Sequence, residues 1–507
     1  MKADLNGPFS LKTIRRVWSV FFVAMFLFLL WTADFRHLKG YEASLFLKID
    51  PLVYLSGLLT GWTVYKGLAL ALLIVIPTLF LGRFFCSWIC PYGILHHWAG
   101  KILLKRSAAE YHEENAYRPI YRIKYYILTA LIVLSAFGAS QIGLFDPIAT
   151  VSRALIISLF PAFDQLAGVI YRKQPVYLGG ALIGFLFIGF ILANRYVNRF
   201  WCRTLCPLGA LLGIISSVSI MRIRRDVDKC NDCFKCLKGC QGACDPHTEL
   251  RASECLACMN CIYDCPEAAL AYGLPGPRSS AHKPVDANRR RIIETALASL
   301  VLYPMLKSSL GSGNTALAEV IRPPGSLPEP DFLRRCIKCS MCMKVCPTNV
   351  LQPALLEAGV EGLWTPILVN KIGYCEHHCT LCGHVCPTGA IMPMTVKDKV
   401  GTPEKKAVKL GTAFYDRGRC LPWAMNVECI VCEEVCPTSP KAIWFETKEI
   451  KNRDGSVKKL KIPYLDPKLC IGCGICENKC PVRDTAAIRV TSVGETRSTT
   501  NRMILEK

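Results

Sequence analysis

Apolar residues in the first 225 positions gather into long runs separated by short basic stretches. Four runs are long enough, with their flanks, to predict spanning helices: Val17–Trp31, Gly67–Phe85, Tyr125–Leu144 and Val176–Ala193. Charge alternates between them. Lys101, Lys105, Arg106, Arg118, Arg122 and Lys124 fall in one connection, and Arg195, Arg199, Arg203, Arg222, Arg224 and Arg225 follow the fourth run. The positive-inside rule then makes the N-terminus and both basic stretches cytoplasmic. Tyr41–Leu59 and Ala149–Ile170 are less apolar, and the pattern reads them as amphipathic or re-entrant segments at the outer face. Buried helices of a soluble protein fit this alternation poorly.

The pattern changes at Cys230. Cys230-x2-Cys233-x2-Cys236-x3-Cys240 is followed by Cys255-x2-Cys258-x2-Cys261-x3-Cys265-Pro266. In this bacterial ferredoxin rhythm, three close thiolates hold three corners of a [4Fe–4S] cube and the fourth comes from the other run. Cys230, Cys233, Cys236 and Cys265 are thus one expected set, and Cys255, Cys258, Cys261 and Cys240 the other. Cys244 rivals Cys240 as the crossing ligand. Paired C-x2-C also makes zinc sites, but two full x2-x2-x3 runs favour the cubes.

Four further runs lie beyond residue 331: Cys336, Cys339, Cys342, Cys346; Cys375, Cys379, Cys382, Cys386; Cys420, Cys429, Cys432, Cys436; and Cys470, Cys473, Cys476, Cys480. A proline follows each fourth cysteine and stops a helix there. The wider gaps after Cys375 and Cys420 set the inner two runs apart, which suggests a nested exchange of ligands, outer with outer and inner with inner. Gly472 and Gly474 allow close backbone approach to a cube. Ala442–Phe445 and Ala487–Val490 read as short closing strands.

Two membrane segments repeat each other: Gly82-Arg83-Phe84-Phe85-Cys86-x3-Cys90-Pro91 and Asn198-Arg199-Phe200-Trp201-Cys202-x3-Cys206-Pro207. Each follows a spanning run, and a C-x3-C pair puts two thiols on one helix face. The four thiols could bind a metal, form redox disulfides or simply pack. His96 and His97 sit beside the first motif, either solvated or facing a quinone or haem. Asp146, before Pro147, either receives a quinol proton or only begins a turn.

Between the modules, Arg289-Arg290-Arg291 precede the apolar Ile292–Leu306, and Ala316-Leu317-Ala318 follows. This is the layout of an export signal inside a chain. A surface helix is the alternative, and uncleaved the segment is a fifth span. Ile321–Pro330 reads as an extended linker.

Composition adds two points. Hydrophobic residues make up 51% of the 507, beside 29 cysteines, which suits a membrane part joined to cofactor-filled modules made where thiols stay reduced. The formal charge is +22. Six clusters at roughly two negative charges each would bring it to about +10. The basic excess therefore argues for membrane topology, with no nucleic-acid partner. The expected fold is a membrane α-helical domain (1–225) with four spanning helices, then α+β ferredoxin-like modules. These are a two-cluster module (226–275), a joint (276–330) and a four-cluster module (331–507).

Residues 1 to about 275, with both C-x3-C-P motifs, resemble the NapH-type membrane iron–sulfur proteins, whose membrane parts recur in methylamine-utilisation and nitrous-oxide-reduction systems. From about 289 onward the chain resembles the NapG/MauM-type ferredoxins. The resemblance implies a multi-pass protein of the bacterial inner membrane taking electrons from quinol. A cytoplasmic two-cluster module and a periplasmic four-cluster module would pass them to a periplasmic cytochrome or reductase. It also implies nested ligation: Cys336, Cys339 and Cys342 with Cys480; Cys470, Cys473 and Cys476 with Cys346; Cys375, Cys379 and Cys382 with Cys436; and Cys420, Cys429 and Cys432 with Cys386. No nucleophile, acid–base pair or phosphate loop stands out, so substrate chemistry is expected on a partner. Two other readings share these residues: a cytoplasm-facing maturation or sensing protein, and an electron-input subunit of a cytoplasmic reductase.

Overall fold

The computed structural model describes residues 10–38, 40–61, 66–103, 115–167, 176–274, 283–307, 320–451, 457–482 and 484–502. Lys105, Arg106 and Ala316-Leu317-Ala318 lie outside the described residues. The chain divides into two compact units: Met1–Thr32, Tyr41–Gly168 and Gly180–Pro304 form one, and Ala33–Gly40, Val169–Gly179 and Met305–Lys507 the other.

The first unit is helical. Helix α1, Leu11–Thr32, starts where the Ser10 hydroxyl accepts from the Thr13 amide at 3.2 Å. Val17, Phe21, Phe28 and Trp31 on α1 face outward, an apolar surface suited to lipid. Then come α2 (Pro51–Gly61), α3 (Leu72–Leu81), α4 (Pro91–Leu103), α5 (Pro119–Ala136), α6 (Pro147–Asp164), α7 (Gly180–Leu192) and α8 (Pro207–Ser216).

Among the described residues, three helices are long and apolar enough to cross a membrane: α1, α5 and α6. Of the four expected spans, Val17–Trp31 and Tyr125–Leu144 fall largely on α1 and α5, whereas Gly67–Phe85 and Val176–Ala193 form the shorter α3 and α7. Ala149–Ile170, expected as an amphipathic or re-entrant segment at the outer face, lies largely on α6, which is long and apolar enough to span. Its Asp-Pro start and Arg153 lower its apparent apolarity, but Arg153 turns back to donate to the Gly143 carbonyl at 2.9 Å.

The two-cluster segment folds within this unit. Strand β1 (Arg222–Arg225) pairs antiparallel with β2 (Leu270–Gly273), joining the entry and exit of the cysteine runs. Helix α9, Arg289–Lys307, covers the expected signal-like segment, but its charged first turn keeps it out of the apolar set.

The second unit is built from paired strands. β3 (Leu351–Pro353) pairs with β4 (Pro366–Leu368), β5 (Thr412–Tyr415) with β8 (Ile488–Thr491), and β6 (Ile443–Lys451) with β7 (Val457–Leu465), all antiparallel. The expected closing strands at Ala442–Phe445 and Ala487–Val490 thus fall largely on β6 and β8. Arg322 is buried, stacks on Phe332 and donates to Thr365 Oγ1 at 2.8 Å and to the Pro366 carbonyl at 2.9 Å. It also pairs with Glu329 at 2.5 Å, and Glu329 is held from the other side by Arg497 at 2.8 Å, so both ends of this unit meet at one carboxylate. Burial opposes the charge on Glu329, but the two guanidinium groups outweigh it and hold the carboxyl at about 2. Val176–Gly179 belong to this unit too: the Tyr177 hydroxyl donates to the Met343 carbonyl at 3.2 Å, and the Leu178 amide to Gln352 Oε1 at 3.0 Å.

Candidate iron–sulfur sites

The four regular runs share one loop conformation. Two residues in each take the left-handed region: Asp232 and Phe234, Ala257 and Met259, Lys338 and Ser340, and Gly472 and Gly474. Each pair occupies the second position after the first cysteine and the first position after the second. A left-handed residue costs an L-amino acid roughly 1–2 kcal/mol, and four loops accept it at matching places. The wide runs depart there: Thr380 and Ile430, after their second cysteines, have φ of −128° and −119°. In each regular run the third cysteine then lies on a short helix.

Adjacent runs, not nested ones, bring their thiols together. One cavity is lined by Cys375, Cys379, Cys382 and Cys346, a second by Cys470, Cys473, Cys476 and Cys436, and a third by Cys420, Cys429, Cys432 and Cys480. Cys386 completes the pattern, within electrostatic reach of Cys336, Cys339 and Cys342. This corrects the nested pairing. The cause is strand pairing: β3–β4 folds the first two runs together, and β5–β8 does the same for the last two. Both halves therefore repeat the exchange within a two-run ferredoxin.

The two halves then meet through their loops. The Cys375 amide donates to the Cys473 carbonyl at 2.8 Å, and Asn478 Nδ2 donates to the Asn370 carbonyl at 3.0 Å. Lys399 is buried and donates to Cys375 Sγ at 3.2 Å, while the Tyr415 hydroxyl lies 3.1 Å from Cys432 Sγ.

In the first unit, Cys236 interacts with Cys240, Cys265 and Cys230, and Cys261 with Cys258, Cys255, Cys240 and Cys236. Cysteines of both expected sets thus gather, with Cys240 within electrostatic reach of members of each, while Cys233 is exposed. Cys258 also senses Cys240, whereas Cys244 sits against Cys255 and 3.6 Å from Cys240 Sγ.

Each C-x3-C motif carries one of these cysteine loops. Arg83 donates to the Ser253 carbonyl at 3.1 Å, Ser87 to that of Leu256 at 2.9 Å, and the Trp88 indole to that of Ala257 at 3.0 Å. Arg203 holds the other loop, donating to the Cys240 and Gln241 carbonyls at 3.1 and 3.0 Å. At the base of α1, Lys12 pairs with Asp264 at 2.9 Å and Arg15 donates to Asn260 Oδ1 at 3.2 Å. Cys86, Cys90, Cys202 and Cys206 are all buried.

The remaining expectations resolve by geometry. His96 is fully buried with Nδ1 against the Asn194 amide, which also caps the Phe200 amide, so the ring braces the second motif. His97 faces Gln241 at 3.3 Å, beside the Cys240 loop. Asp146 begins α6, its Oδ2 accepting from the Ala149 amide at 2.7 Å. It also meets Asp50, whose Oδ1 accepts from the Leu52 amide at 2.8 Å. Sequence reading missed Asp50, although Asp50-Pro51 repeats Asp146-Pro147.

Among the described residues no three His, Cys, Asp or Glu side chains are gathered for a single metal ion. Zinc needs thiolates about 2.3 Å from one centre. Thiols grouped around cavities fit the corners of a larger cluster.

A 4Fe-4S binding domain family matches residues 63–108, 178–226 and 382–402, a 4Fe-4S dicluster domain 335–390, and a further 4Fe-4S binding domain 463–483. The dicluster match spans the two runs that β3–β4 folds together. The methylamine utilization ferredoxin-type protein MauM of Methylorubrum extorquens is 36% identical over 41% of this chain and 90% of its own length. The chain belongs to the MauM family of ferredoxin-type proteins. MauM of Methylophilus methylotrophus is 35% identical over 40% of this chain and 83% of its own. YccM of Escherichia coli, whose name assigns it to electron transport, is 28% identical over 41% of this chain and 55% of its own, so the chain spans about half of YccM. No solved structure matches. With the MauM relatives and the 4Fe-4S domains, the chain is an iron–sulfur electron-transfer protein.

Proposed function

We propose that the chain is a membrane-bound relay that carries electrons from quinol through six [4Fe–4S] clusters to a periplasmic redox partner. The observation that carries this reading is the continuity of the second unit, where paired thiol sets meet at the Cys375–Cys473 hydrogen bond. Bound clusters would supply one-electron chemistry. The chain holds them by thiolate, shields them by burial and tunes them with donors such as Lys399. The ligand sets are Cys230, Cys233, Cys236 and Cys265; Cys255, Cys258, Cys261 and Cys240; and the four sets of adjacent runs described above.

Three apolar helices and the outward apolar face of α1 support a membrane setting. The basic residues Arg195, Arg199 and Arg203 follow α7, so the positive-inside rule makes that end cytoplasmic. Arg289–Arg291 and the apolar stretch after them, laid out like an export signal, favour a periplasmic second unit. On this reading α9, near 28 Å long at 1.5 Å per residue, tethers that unit, with Arg289–Arg291 inside.

The test is anaerobic addition of a short-chain quinol to the purified protein in detergent. Cluster absorbance should bleach and reduced-cluster EPR signals should appear. Clusters that stay oxidised with quinol yet reduce with dithionite would overturn quinol as donor. A C-terminal tag protected from protease in intact spheroplasts would overturn the periplasmic placement.

A further inference from the structure

We infer that the N-terminal end of α1 and the C-terminal end of α4 together bind the headgroup of an anionic phospholipid in the cytoplasmic leaflet. This goes beyond the electron path and rests only on the membrane setting proposed above.

The first observation is charge in register. Lys12, Arg15 and Arg16 stand three and four residues apart, so one face of α1 carries all three. On α4, His97 and Lys101 stand four apart and share a face in the same way. The two helices pack together and these faces meet. Lys101 lies within electrostatic reach of Arg16, Arg15 and Lys12, and His97 within reach of Arg199, Lys101, Arg15 and Arg16. Partial loss of solvent, and after it the three positive neighbours, push the Lys101 ammonium below its ordinary value.

The second observation is the shortage of negative charge. Neither helix contains an Asp or a Glu. Asp264 is taken by Lys12, and Arg15 is buried and turned inward to Asn260. Arg16 and Lys101 are exposed and have no ion pair among the described residues. Two cations held together by helix packing, with no carboxylate between them, draw an anion from outside the chain.

The third is what flanks the charges. Val20 lies one turn beyond Arg16, with Val17, Trp18 and Phe21 exposed beside it, and Ile102 is exposed beside Lys101. A free anion uses the charges alone. A phospholipid uses both surfaces, its phosphate on Arg16 and Lys101 and its chains along the apolar side of α1. Trp18 is the residue type that collects at the headgroup boundary, and basic clusters between helices on the cytoplasmic side take acidic headgroups. The same end of α1 holds Asn260–Asp264, the short helix that carries Cys261. A bound headgroup therefore steadies the loop of the Cys255 set.

The test uses the whole protein, purified anaerobically in detergent and stripped of lipid, with thermal unfolding as the readout. Short-chain phosphatidylglycerol should raise the melting temperature, and added salt should shrink the shift. Phosphatidylcholine with the same chains, or inorganic phosphate, should leave it unchanged. Arg16→Gln/Lys101→Gln should need roughly 30-fold more phosphatidylglycerol for the same shift, the effect of two surface charges, with its reduced-cluster EPR signals intact. Lys458→Gln/Lys459→Gln, which removes two exposed charges from β7, should behave as wild type. Should Arg16→Gln/Lys101→Gln fail to fold, lipid mass spectrometry of the wild type decides: anionic phospholipid should survive detergent washing and zwitterionic phospholipid should not. An equal shift with phosphatidylcholine or phosphate, an unchanged requirement in Arg16→Gln/Lys101→Gln, or no anionic lipid retained overturns the inference. Protein that stays folded and monodisperse without detergent refutes the membrane setting, and the inference with it.

Discussion

The Cys375 amide donates to the Cys473 carbonyl at 2.8 Å, so the loops of two different thiol sets touch through their backbones. Each loop is also the inner one of its half: Cys375 shares its cavity with Cys346, and Cys473 with Cys436. This arranges the four sets as a line, with the Cys336 and Cys420 sets at its ends. A line suits a relay better than a compact store, because an electron entering one end must pass every site.

Lys399 should set the potential of the second site in that line. Its buried ammonium donates to Cys375 Sγ and to the Glu376 and Cys379 carbonyls. The oxidised cluster tolerates loss of a positive charge better than the reduced one. Lys399→Met should therefore lower that site's potential, by up to about 65–130 mV if a charge-assisted bond of about 1.5–3 kcal/mol acts wholly on the reduced state. An EPR-monitored redox titration measures it, and an unchanged or raised potential would remove Lys399 from this role.

Gly472→Ala should damage the last run more than the shared left-handed backbone alone would. Lys338 holds the equivalent position with φ 57°, so the conformation itself is tolerable. At Gly472, however, a Cβ would meet the Gly411 backbone nitrogen at 2.5 Å, and backbone cannot swing aside. We expect a loss of about 2–3 kcal/mol and weaker retention of the Cys470 cluster on chelator challenge. Lys338→Ala should be milder in both assays.

Glu329 fastens both ends of the second unit. Glu329→Gln should cost about 3 kcal/mol, since Arg322 stays buried with a neutral partner. The carboxyl sits at about 2, below its ordinary 4.5. Its contribution is therefore full above about pH 4.5 and is lost as pH falls towards 2. Thermal denaturation should give a constant gap between wild type and variant from pH 8 to 5. A gap that grows as pH falls through that range would contradict the assignment.

Asp50 and Asp146 face each other fully buried, each with one oxygen held by a backbone amide. Two unprotonated carboxylates would repel, so a shared proton is the stable arrangement. Asp50→Asn, which can donate an N–H in the proton's place, should be tolerated in detergent within about 1 kcal/mol. Asp146→Ala removes the cap of α6 and should cost about 1–2 kcal/mol. A loss above about 2 kcal/mol from Asp50→Asn would argue against the shared proton.

Much of this was legible in the sequence because metal ligation constrains spacing locally. The regular rhythm at Cys230, Cys255, Cys336 and Cys470 foretold one loop form, and the wider gaps after Cys375 and Cys420 foretold the two that differ. Ligand exchange was not legible, because it depends on which strands pair far along the chain. Cys480 stands with Cys420 because β8 lies on β5, which no spacing reveals. Periodicity also underrated α6, whose polar start and buried Arg153 hide a helix long and apolar enough to cross a membrane. The partnership of Asp146 with Asp50 needed three-dimensional contact, although the repeated Asp-Pro was there to be noticed.

The adjacent pairing, and the line of sites that follows from it, is tested most directly by EPR of single cysteine variants in the anaerobically purified, dithionite-reduced protein. Cys386→Ser and Cys339→Ser should lose or convert the same cluster signal, and Cys480→Ser should instead match Cys429→Ser. If Cys480→Ser matches Cys339→Ser, the nested arrangement is correct and the line of four sites is wrong.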